Sequence, residues 1–230
     1  AVQQRVMDDL VAAGAAGIMV SSVDPKNQTE NLNKVASQTV LFTTDSDAPQ
    51  SKRVAYIGSS NTDLGKEAGK LMLKALPNGG KCVGFVGLPG ADNARERIEG
   101  VKETIKGSKV ELVDVRGDEI DQTRAKRNVE DILAAMPDVS CLVGFYSYNT
   151  PRIYEVLKEA GERPCFLTRG YGGKAQGPVL ATKGQSAAEI GDETLLLLAH
   201  APTVVSADRA AGAKLIEGTD ATVIVMDDGF

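Results

Sequence analysis

Four polar residues follow strand-like segments in the first part of the chain, where parallel strands place ligand-binding groups. They are Asp45, Asp47, Arg97 and Asn149. A carboxylate accepts hydroxyl protons, a guanidinium donates hydrogen bonds in a planar fork, and a carboxamide both donates and accepts. Because the carboxyl ends of parallel strands meet at one edge of a sheet, these groups can converge on one ligand. Their types predict a site for a hydroxyl-rich molecule such as a small sugar.

The same residues also have structural explanations. Either aspartate can cap the turn that precedes Pro49, and Asn149 can cap a helix that begins at Pro151. Arg97 can be a solvated charge on the surface of a helix. The spacing alone leaves both explanations open.

A second group of candidates lies near the carboxyl end. Asp227 and Asp228 follow the apolar segment 222–226, and paired carboxylates at a strand end suit Mg²⁺ or a hydroxyl that accepts a phosphoryl group. Upstream, Arg169 precedes the glycine-rich segment 170–173, which suits an anionic ligand that approaches the backbone. Solvated strand-end charges and an ordinary glycine-rich turn are the alternatives.

Apolar segments of strand length alternate with segments of helical periodicity along the chain. The predicted strands are 17–22, 39–44, 54–57, 82–87, 110–115, 140–146, 164–168, 203–206 and 222–226. The predicted helices include Leu64–Leu76, Ala94–Ile105, Ala125–Ala135 and Ile153–Ala160. This alternation predicts an α/β fold of doubly wound, mainly parallel sheets with helices on both faces.

Composition narrows the function classes. The 230 residues carry a formal net charge of -5 without a basic patch, which argues against a nucleic-acid partner. Apolar stretches stay below 18 residues, so no transmembrane segment is expected. Cys82, Cys141 and Cys165 lie in apolar strand-like segments and are interpreted as small buried hydrophobic residues rather than as disulfide or metal ligands.

Residues 1 to about 160 contain a specific series of motifs. The series comprises residues 8–21, Asp24-Pro25, residues 44–49, residues 56–58, residues 93–100 and Asn149. This part of the chain resembles the periplasmic sugar-binding proteins of ABC importers, of the ribose-binding type. The resemblance implies that Asp45, Arg97 and Asn149 occupy sugar-contacting positions, with Asp47 a weaker candidate. Ser46 departs from the arginine of the ribose binder, so the sugar is left open.

The same resemblance implies a partner and a compartment. A small sugar, a pentose or a hexose, is the expected ligand, an ABC importer permease is the possible protein partner, and the periplasm is the expected location. The first strand and helix of the family are expected before Ala1, so this part of the fold is expected to be incomplete and its binding impaired.

From about residue 162 the motifs change. Segments 164–174, 201–206, 208–212 and 223–230 resemble tetraacyldisaccharide 4'-kinase of lipid A synthesis. This resemblance implies ATP and Mg²⁺ as cofactors and the cytoplasmic face of the inner membrane as location. It assigns Asp192 as the catalytic carboxylate and the pair Asp227 and Asp228 to catalysis and to the metal.

The chain lacks the phosphate loop that such a kinase needs. The sequences Gly79-Gly80-Lys81-Cys82 and Gly172-Gly173-Lys174-Ala175 both lack the hydroxyl residue after the lysine and the leading glycine spacing of a Walker A motif. The single histidine, His200, is interpreted as a residue at a helix end. Because phosphoryl transfer depends on positioning and charge neutralisation, kinase activity is not expected.

Three hypotheses follow from a chain divided into residues 1–160 and 161–230. The leading one is non-enzymatic sugar binding by an incomplete solute-binding protein. The second is an ATP-dependent kinase of a lipid A disaccharide precursor. The third is an artificial or misassembled chimera that has a fold but no function. A helix up to Ala160, Gly161 and a strand from Pro164 form the expected junction.

Overall fold

The structure is a computed structural model that describes residues 2–175 and 177–226. The helices are α1 (Val2–Ala12), α2 (Pro25–Ala36), α3 (Asn61–Ala75), α4 (Asp92–Ile105), α5 (Gln122–Ala135), α6 (Asn149–Glu159), α7 (Ala187–Ile190), α8 (Asp192–Leu198) and α9 (Arg209–Glu217). The strands are β1 (Gly17–Val20), β2 (Val40–Thr44), β3 (Ala55–Ile57), β4 (Gly80–Val86), β5 (Val110–Gly117), β6 (Val139–Gly144), β7 (Pro164–Thr168), β8 (Val179–Leu180), β9 (Thr203–Val205) and β10 (Val223–Met226).

In the part of the chain that the structure describes, the strands form three sheets. Their orders are β1-β2-β3, β5-β4-β6 and β10-β7-β9-β8. All pairs are parallel except β8 with β9. The predicted α/β fold of mainly parallel sheets is therefore confirmed. Strand β8 was not predicted, because two residues are too short to show a periodicity.

Helices cover the sheets to different extents. Helices α3 and α4 pack against one face of the β5-β4-β6 sheet, and α5 and α6 pack against its other face. The β1-β2-β3 sheet packs α1 and α2 through Met7, Leu32 and Val35. Met19 and Ile57 on this sheet are 56% and 49% exposed. Helices on both faces are thus observed for the central sheet, and described helices cover one side of the first.

The junction has the predicted local structure but not a continuous sheet. Helix α6 ends at Glu159, Gly161 has φ 86°, and β7 begins at Pro164. Strand β7 pairs with β9 and β10 and not with β6. Side-chain packing joins the two parts instead. Tyr154 of α6 stacks on Phe166 of β7 with ring centroids 5.2 Å apart, and Val223 packs against the core cluster of the central sheet.

Helices α3 and α4 approach each other at glycines. A Cβ atom at Gly65 would overlap the backbone carbonyl of Arg97, and one at Gly100 would overlap the carbonyl of Thr62. The absence of side chains at these positions lets the two helix backbones touch. This contact fixes the first turns of α4, which carry Asn93 and Arg97.

Substitution of Gly65 by alanine tests this packing. At an exposed helix position the change would stabilise by about 0.5–1 kcal/mol, because alanine loses less backbone entropy. Here the overlap with the Arg97 carbonyl reverses the sign, and we expect a loss of roughly 1–3 kcal/mol in the free energy of unfolding. Urea denaturation measures the change. Gly90→Ala is the matched control, since its added Cβ meets open space. A Gly65→Ala protein as stable as the control would contradict the close helix contact.

Candidate functional site

Asp45 lies directly after β2 with a backbone φ of 56°, in the left-handed region that side chains other than glycine rarely adopt. One carboxylate oxygen accepts hydrogen bonds from Ser21 Oγ and Asn93 Nδ2, both at 2.9 Å. The other carboxylate oxygen lies 3.5 Å from the guanidinium of Arg97. Ser21 directly follows β1 of the first sheet, whereas Asn93 and Arg97 lie on α4. The carboxylate therefore links the first sheet to the central one.

The main chain of Asp45 is held as firmly as its side chain. Its carbonyl oxygen accepts from Asn61 Nδ2 at 2.5 Å and from Tyr56 Oη at 3.2 Å. A left-handed conformation costs of the order of 1–2 kcal/mol for an ordinary residue, and such strain persists only where surrounding contacts impose it. These contacts aim the Asp45 carboxylate at the space between the sheets.

Arg97 is anchored rather than solvated. Its Nε donates to Asn61 Oδ1 at 2.7 Å, and a terminal nitrogen donates to the Phe145 carbonyl at 2.5 Å. The guanidinium carbon lies 5.7 Å from the centre of the Tyr146 ring, and the side chain is 17% exposed. The interpretation of Arg97 as a free surface charge is therefore wrong, and the guanidinium instead lies 3.5 Å from the Asp45 carboxylate.

A cavity of about 150 Å³ opens beside Asp45, and we call it the strand-end cavity. Its lining comprises Ser21, Ser22, Val23, Asp45, Ser46, Leu88, Ala91, Asn93, Ile120 and Tyr146. Tyr146 Oη donates to Asn93 Oδ1 at 2.9 Å. Burial raises the pKa of Tyr146, so its phenol stays protonated at neutral pH. A hydrogen-bonded series Tyr146, Asn93, Asp45, Ser21 thus crosses the cavity wall.

Ser46 contributes a hydroxyl without a partner. Its side chain is 2% exposed, it lines the strand-end cavity, and its Oγ makes no hydrogen bond to any described residue. Buried hydroxyls are normally hydrogen-bonded, because an unpaired one loses its hydration without compensation. The Ser46 hydroxyl is therefore a buried polar group at the cavity wall whose hydrogen-bonding capacity is unused by the described residues.

Asp47 does not line the cavity. Its carboxylate accepts from Arg53 Nε at 2.5 Å, from Thr43 Oγ1 at 2.5 Å and from the Ala48 amide at 2.7 Å. Hydrogen bonds from Arg53 hold the pKa of Asp47 below its usual value. The structure thus places Asp45 and Arg97 together and places Asp47 in a separate ion pair that closes the turn before Pro49.

Asn149 lies behind the cavity wall in a buried polar cluster. It is 1% exposed, accepts from the Tyr146 amide at 3.0 Å and donates to Asp118 Oδ2 at 3.0 Å. Asp118 also accepts from Tyr148 Oη at 2.7 Å. Burial is the larger cause, and the hydrogen bond to Asp118 the second, of a raised pKa of Tyr148. Helix α6 begins at Asn149 itself, so the expected cap of a helix starting at Pro151 is wrong. Asn149 fixes the backbone of Tyr146, which does reach the cavity.

Sequence reasoning missed several cavity residues. Ser21, Asn93 and Tyr146 were present in or beside the recognised motifs, but their types suggested no chemistry by themselves. The available signal was position, since each lies within a few residues of a predicted strand end. Asn93 is the clearest example, because it opens the same motif as Arg97 and its amide bridges two other polar side chains.

A larger hollow of about 480 Å³ lies beside residues 15–16, 36–41 and 52–54. It is a shallow depression at the amino ends of β1 and β2, and alanine and aliphatic side chains form much of its lining. Ligands of open α/β sheets bind at the opposite, carboxyl ends of the strands. The smaller strand-end cavity, with its convergent polar groups, is the better candidate site.

The glycine-rich turn after β7 is packed and not open. The Gly173, Lys174 and Ala175 amides donate to the carbonyls of Gly170, Ala188 and Glu189. A Cβ atom at Gly173 would lie 2.5 Å from the Gly191 amide nitrogen. Three backbone donors of this turn are thus used within the protein.

Among the remaining kinase-like candidates, Asp192 lies in the described part of the chain. Asp192 is exposed at the first turn of α8, where its carboxylate accepts from the Glu193 amide at 3.0 Å. His200 lies just beyond the end of α8, as predicted. Asp227 and Asp228 lie outside the described residues. Elsewhere, residues 2–175 and 177–226 contain no cluster of three or more His, Cys, Asp and Glu side chains placed to hold a metal ion.

Comparison with known proteins identifies the first part. Residues 1–192 match the periplasmic binding protein domain family. A solute-binding protein of an ABC transporter from Burkholderia graminis, solved with D-arabinose, is 30% identical with a TM-score of 0.65 and covers 71% of this chain and 60% of its own. The arabinose-binding protein AraP from Geobacillus stearothermophilus is 26% identical, covers 71% and 59%, and has a TM-score of 0.57.

The fold likeness extends across the junction. GanP, a glucose-galactose binding protein from Geobacillus stearothermophilus, covers 98% of this chain and 79% of its own with a TM-score of 0.67. At 20% identity this likeness shows the fold alone.

A tetraacyldisaccharide 4'-kinase from Methylobacterium nodulans is 56% identical over 76 residues, 33% of this chain and 23% of the kinase. The chain thus spans about a quarter of that kinase. Every described helix is too short or too polar to cross a bilayer.

The Asp47–Arg53 pair predicts a pH dependence of stability. The folded pKa of Asp47 is lowered relative to an unfolded value of about 3.9, so the pair stabilises the fold above that pH. The contribution is lost as the pH falls through the folded pKa. We expect Asp47→Asn to lose roughly 1–2 kcal/mol of unfolding free energy at pH 7, with the gap to the parent protein closing below about pH 4.

A double-mutant cycle with Arg53→Ala separates the ion pair from other effects. The two single substitutions and the double substitution are compared by urea denaturation at pH 7 and at pH 3. Coupling at pH 7 that is smaller at pH 3 is the expected result, because protonation of Asp47 competes with the ion pair as the pH falls towards the lowered folded pKa. Additive losses at both pH values would show that the pair contributes no stability.

Proposed function

The chain belongs to the periplasmic binding protein family, and from that membership we propose that it binds one neutral monosaccharide in the strand-end cavity. The observation that carries the proposal is the Asp45 carboxylate, fixed between Ser21 after β1 and Asn93 of α4 beside a cavity of about 150 Å³. A carboxylate accepts strong hydrogen bonds from sugar hydroxyls, and sheet ends are the usual ligand sites of such folds. Binding, not chemical conversion, is the proposed activity.

The volume supports a single sugar ring. An engineered cavity of about 150 Å³ holds benzene, a six-membered ring. A pentose or a hexose is a single ring of similar size, whereas an oligosaccharide is several times larger. We therefore propose a monosaccharide as ligand. One similar protein was solved with D-arabinose and another is an arabinose-binding protein, so a pentose is the first ligand to test.

The charges support a neutral ligand. Asp45 is the one charged residue among the described residues of the cavity lining, and Arg97 beside it compensates its charge at 3.5 Å. Two nitrogen atoms of the Arg97 side chain already donate hydrogen bonds to protein oxygens. A carboxylate or phosphate group on the ligand would be repelled by Asp45, because the described lining holds no further cation to compensate it. The unpaired hydroxyl of Ser46 instead offers a neutral donor and acceptor.

Delivery of the sugar to an ABC importer permease in the periplasm is the corresponding biological role. The family match supports this role and the periplasmic location. Because the chain spans about 60% of the similar arabinose-related proteins, the transport step is a proposal for the chain as it stands. The kinase alternative would require ATP and Mg²⁺, and the packed turn after β7 gives it no support.

Calorimetric titration with D-arabinose, D-ribose, D-glucose and D-galactose tests sugar binding. At least one sugar should bind the parent protein. Asp45→Asn should weaken that binding by roughly 10- to 100-fold, because a hydrogen bond to a charged group contributes about 1.5–3 kcal/mol. Ser46→Ala should weaken it by about 2- to 10-fold. Galacturonate should bind more weakly than galactose by roughly tenfold or more, since its carboxylate faces Asp45.

Asp47→Asn is the matched control for the aspartate substitution. It changes the same side chain two positions away, outside the cavity lining, and should leave the affinity within about twofold. Circular dichroism confirms that each variant is folded. Equal losses from the two variants would reject the assignment of Asp45. Absence of heat for every sugar with folded parent protein would reject sugar binding and favour a chimera without function.

A further inference from the structure

Two cysteines of the central sheet face each other across neighbouring strands. Cys82 of β4 and Cys141 of β6 are direct partners in the parallel register, just after a register shift at Lys81. Both belong to the apolar cluster that α3 and α4 cover, so their side chains lie on the same side of the sheet. Sequence reasoning treated each cysteine separately as a small buried residue. Only the strand register brings the two together.

The two thiols interact directly. The neighbouring Cys141 thiol lowers the pKa of Cys82, while the hydrogen bond with Cys82 and burial raise the pKa of Cys141. Cys82 is fully buried, whereas Cys141 is partly exposed on a strand that lies at the edge of its sheet in the described part of the chain. Adjacent strands lie about 4.8 Å apart. A disulfide requires Cα atoms about 4.4–6.8 Å apart, so the backbone separation already permits the bond.

We propose that Cys82 and Cys141 form a reversible disulfide that ties β4 to β6 when the protein meets a small-molecule disulfide such as oxidised glutathione. Cys141 is the more exposed of the two cysteines, so its thiol meets the oxidant first; it loses its proton as its sulfur attacks one glutathione sulfur, forms a mixed disulfide and releases one reduced glutathione. Cys82, as a thiolate, then attacks the Cys141 sulfur and releases the second glutathione. The two protein thiols are oxidised by two electrons, the oxidant gains both electrons, and the two thiol protons pass to the released glutathione molecules.

Cys165 provides an internal comparison. It lies on β7 in a different apolar cluster, and its sulfur contacts the Phe166 carbonyl at 3.6 Å. It is fully buried, and burial raises its pKa. Neither of the other cysteines lies in its cluster among the described residues, so Cys165 remains a thiol under the same treatment.

The bond would act on the strand-end cavity. Strand β4 leads into the loop that carries Leu88 and Ala91, and β6 leads to Tyr146, and all three residues line the cavity. A covalent link between the strands would therefore fix two walls of the cavity relative to each other. The biological setting rests on the proposed periplasmic function, since disulfides persist in oxidising compartments. The chemistry itself does not depend on sugar binding.

The test treats dilute folded protein with oxidised glutathione, then alkylates the remaining thiols in denaturant. Intact mass spectrometry should show three alkyl groups before treatment and one afterwards, and peptide mapping should place the link between Cys82 and Cys141. Dithiothreitol should restore all thiols. Treatment in denaturant should instead give a mixture of the possible pairings, because the strand register is then lost.

Variants separate the pair from general thiol reactivity. Cys165→Ser should keep the link, whereas Cys82→Ser should leave a glutathione adduct on Cys141 and form no intramolecular bond. Three alkylated thiols after prolonged treatment of the folded protein would overturn the proposal. A link that involves Cys165, or the same mixture of pairings with and without denaturant, would overturn it as well. The parent protein alone gives these outcomes if a variant fails to fold.

Discussion

The candidate site depends on the hydrogen bonds of the Asp45 carboxylate. They join the end of β1 in the first sheet to helix α4, which packs on the central sheet. The carboxylate accepts from Ser21 on one side and from Asn93 on the other, and it faces Arg97. Its own backbone is held in the left-handed region by hydrogen bonds to its carbonyl. A charged hydrogen bond across two structural units both orders them and leaves a polar surface between them. The strand-end cavity is that surface.

Close helix packing supports this contact from behind. The glycines that let α3 and α4 touch place Arg97 against Asn61, and Asn61 in turn holds the carbonyl of Asp45. Asn149 and Asp118 support the other wall, because they fix the backbone that presents Tyr146. The polar side chains of the site are thus oriented by buried neighbours rather than by solvent. Such support holds binding groups in place before a ligand arrives.

The carboxyl-terminal part shows how similar sequence and available chemistry can differ. Its motifs resemble a kinase, and a kinase segment is 56% identical over 76 residues. In this chain the amides of Lys174 and Ala175 donate to carbonyls of α7, so these two donors hold the turn after β7 against that helix. Packing between α6 and β7 then attaches the third sheet to the rest without a shared strand pair. A glycine-rich segment binds anions only where its amides remain free.

The sequence by itself determined the alternation of strands and helices and the parallel α/β class, and it singled out Asp45 and Arg97 as candidates. Those features depend on local periodicity and on side-chain chemistry, which can be read from neighbouring residues. Tertiary structure decided that Asp47 pairs with Arg53, that Asn149 supports the wall from behind, and that Asn93 and Tyr146 reach the cavity. It also decided that the strands divide into three sheets in the described residues and that Cys82 faces Cys141. These outcomes depend on strand register and on helix packing between distant segments. The local pattern of residue types does not reveal which distant residues will come into contact.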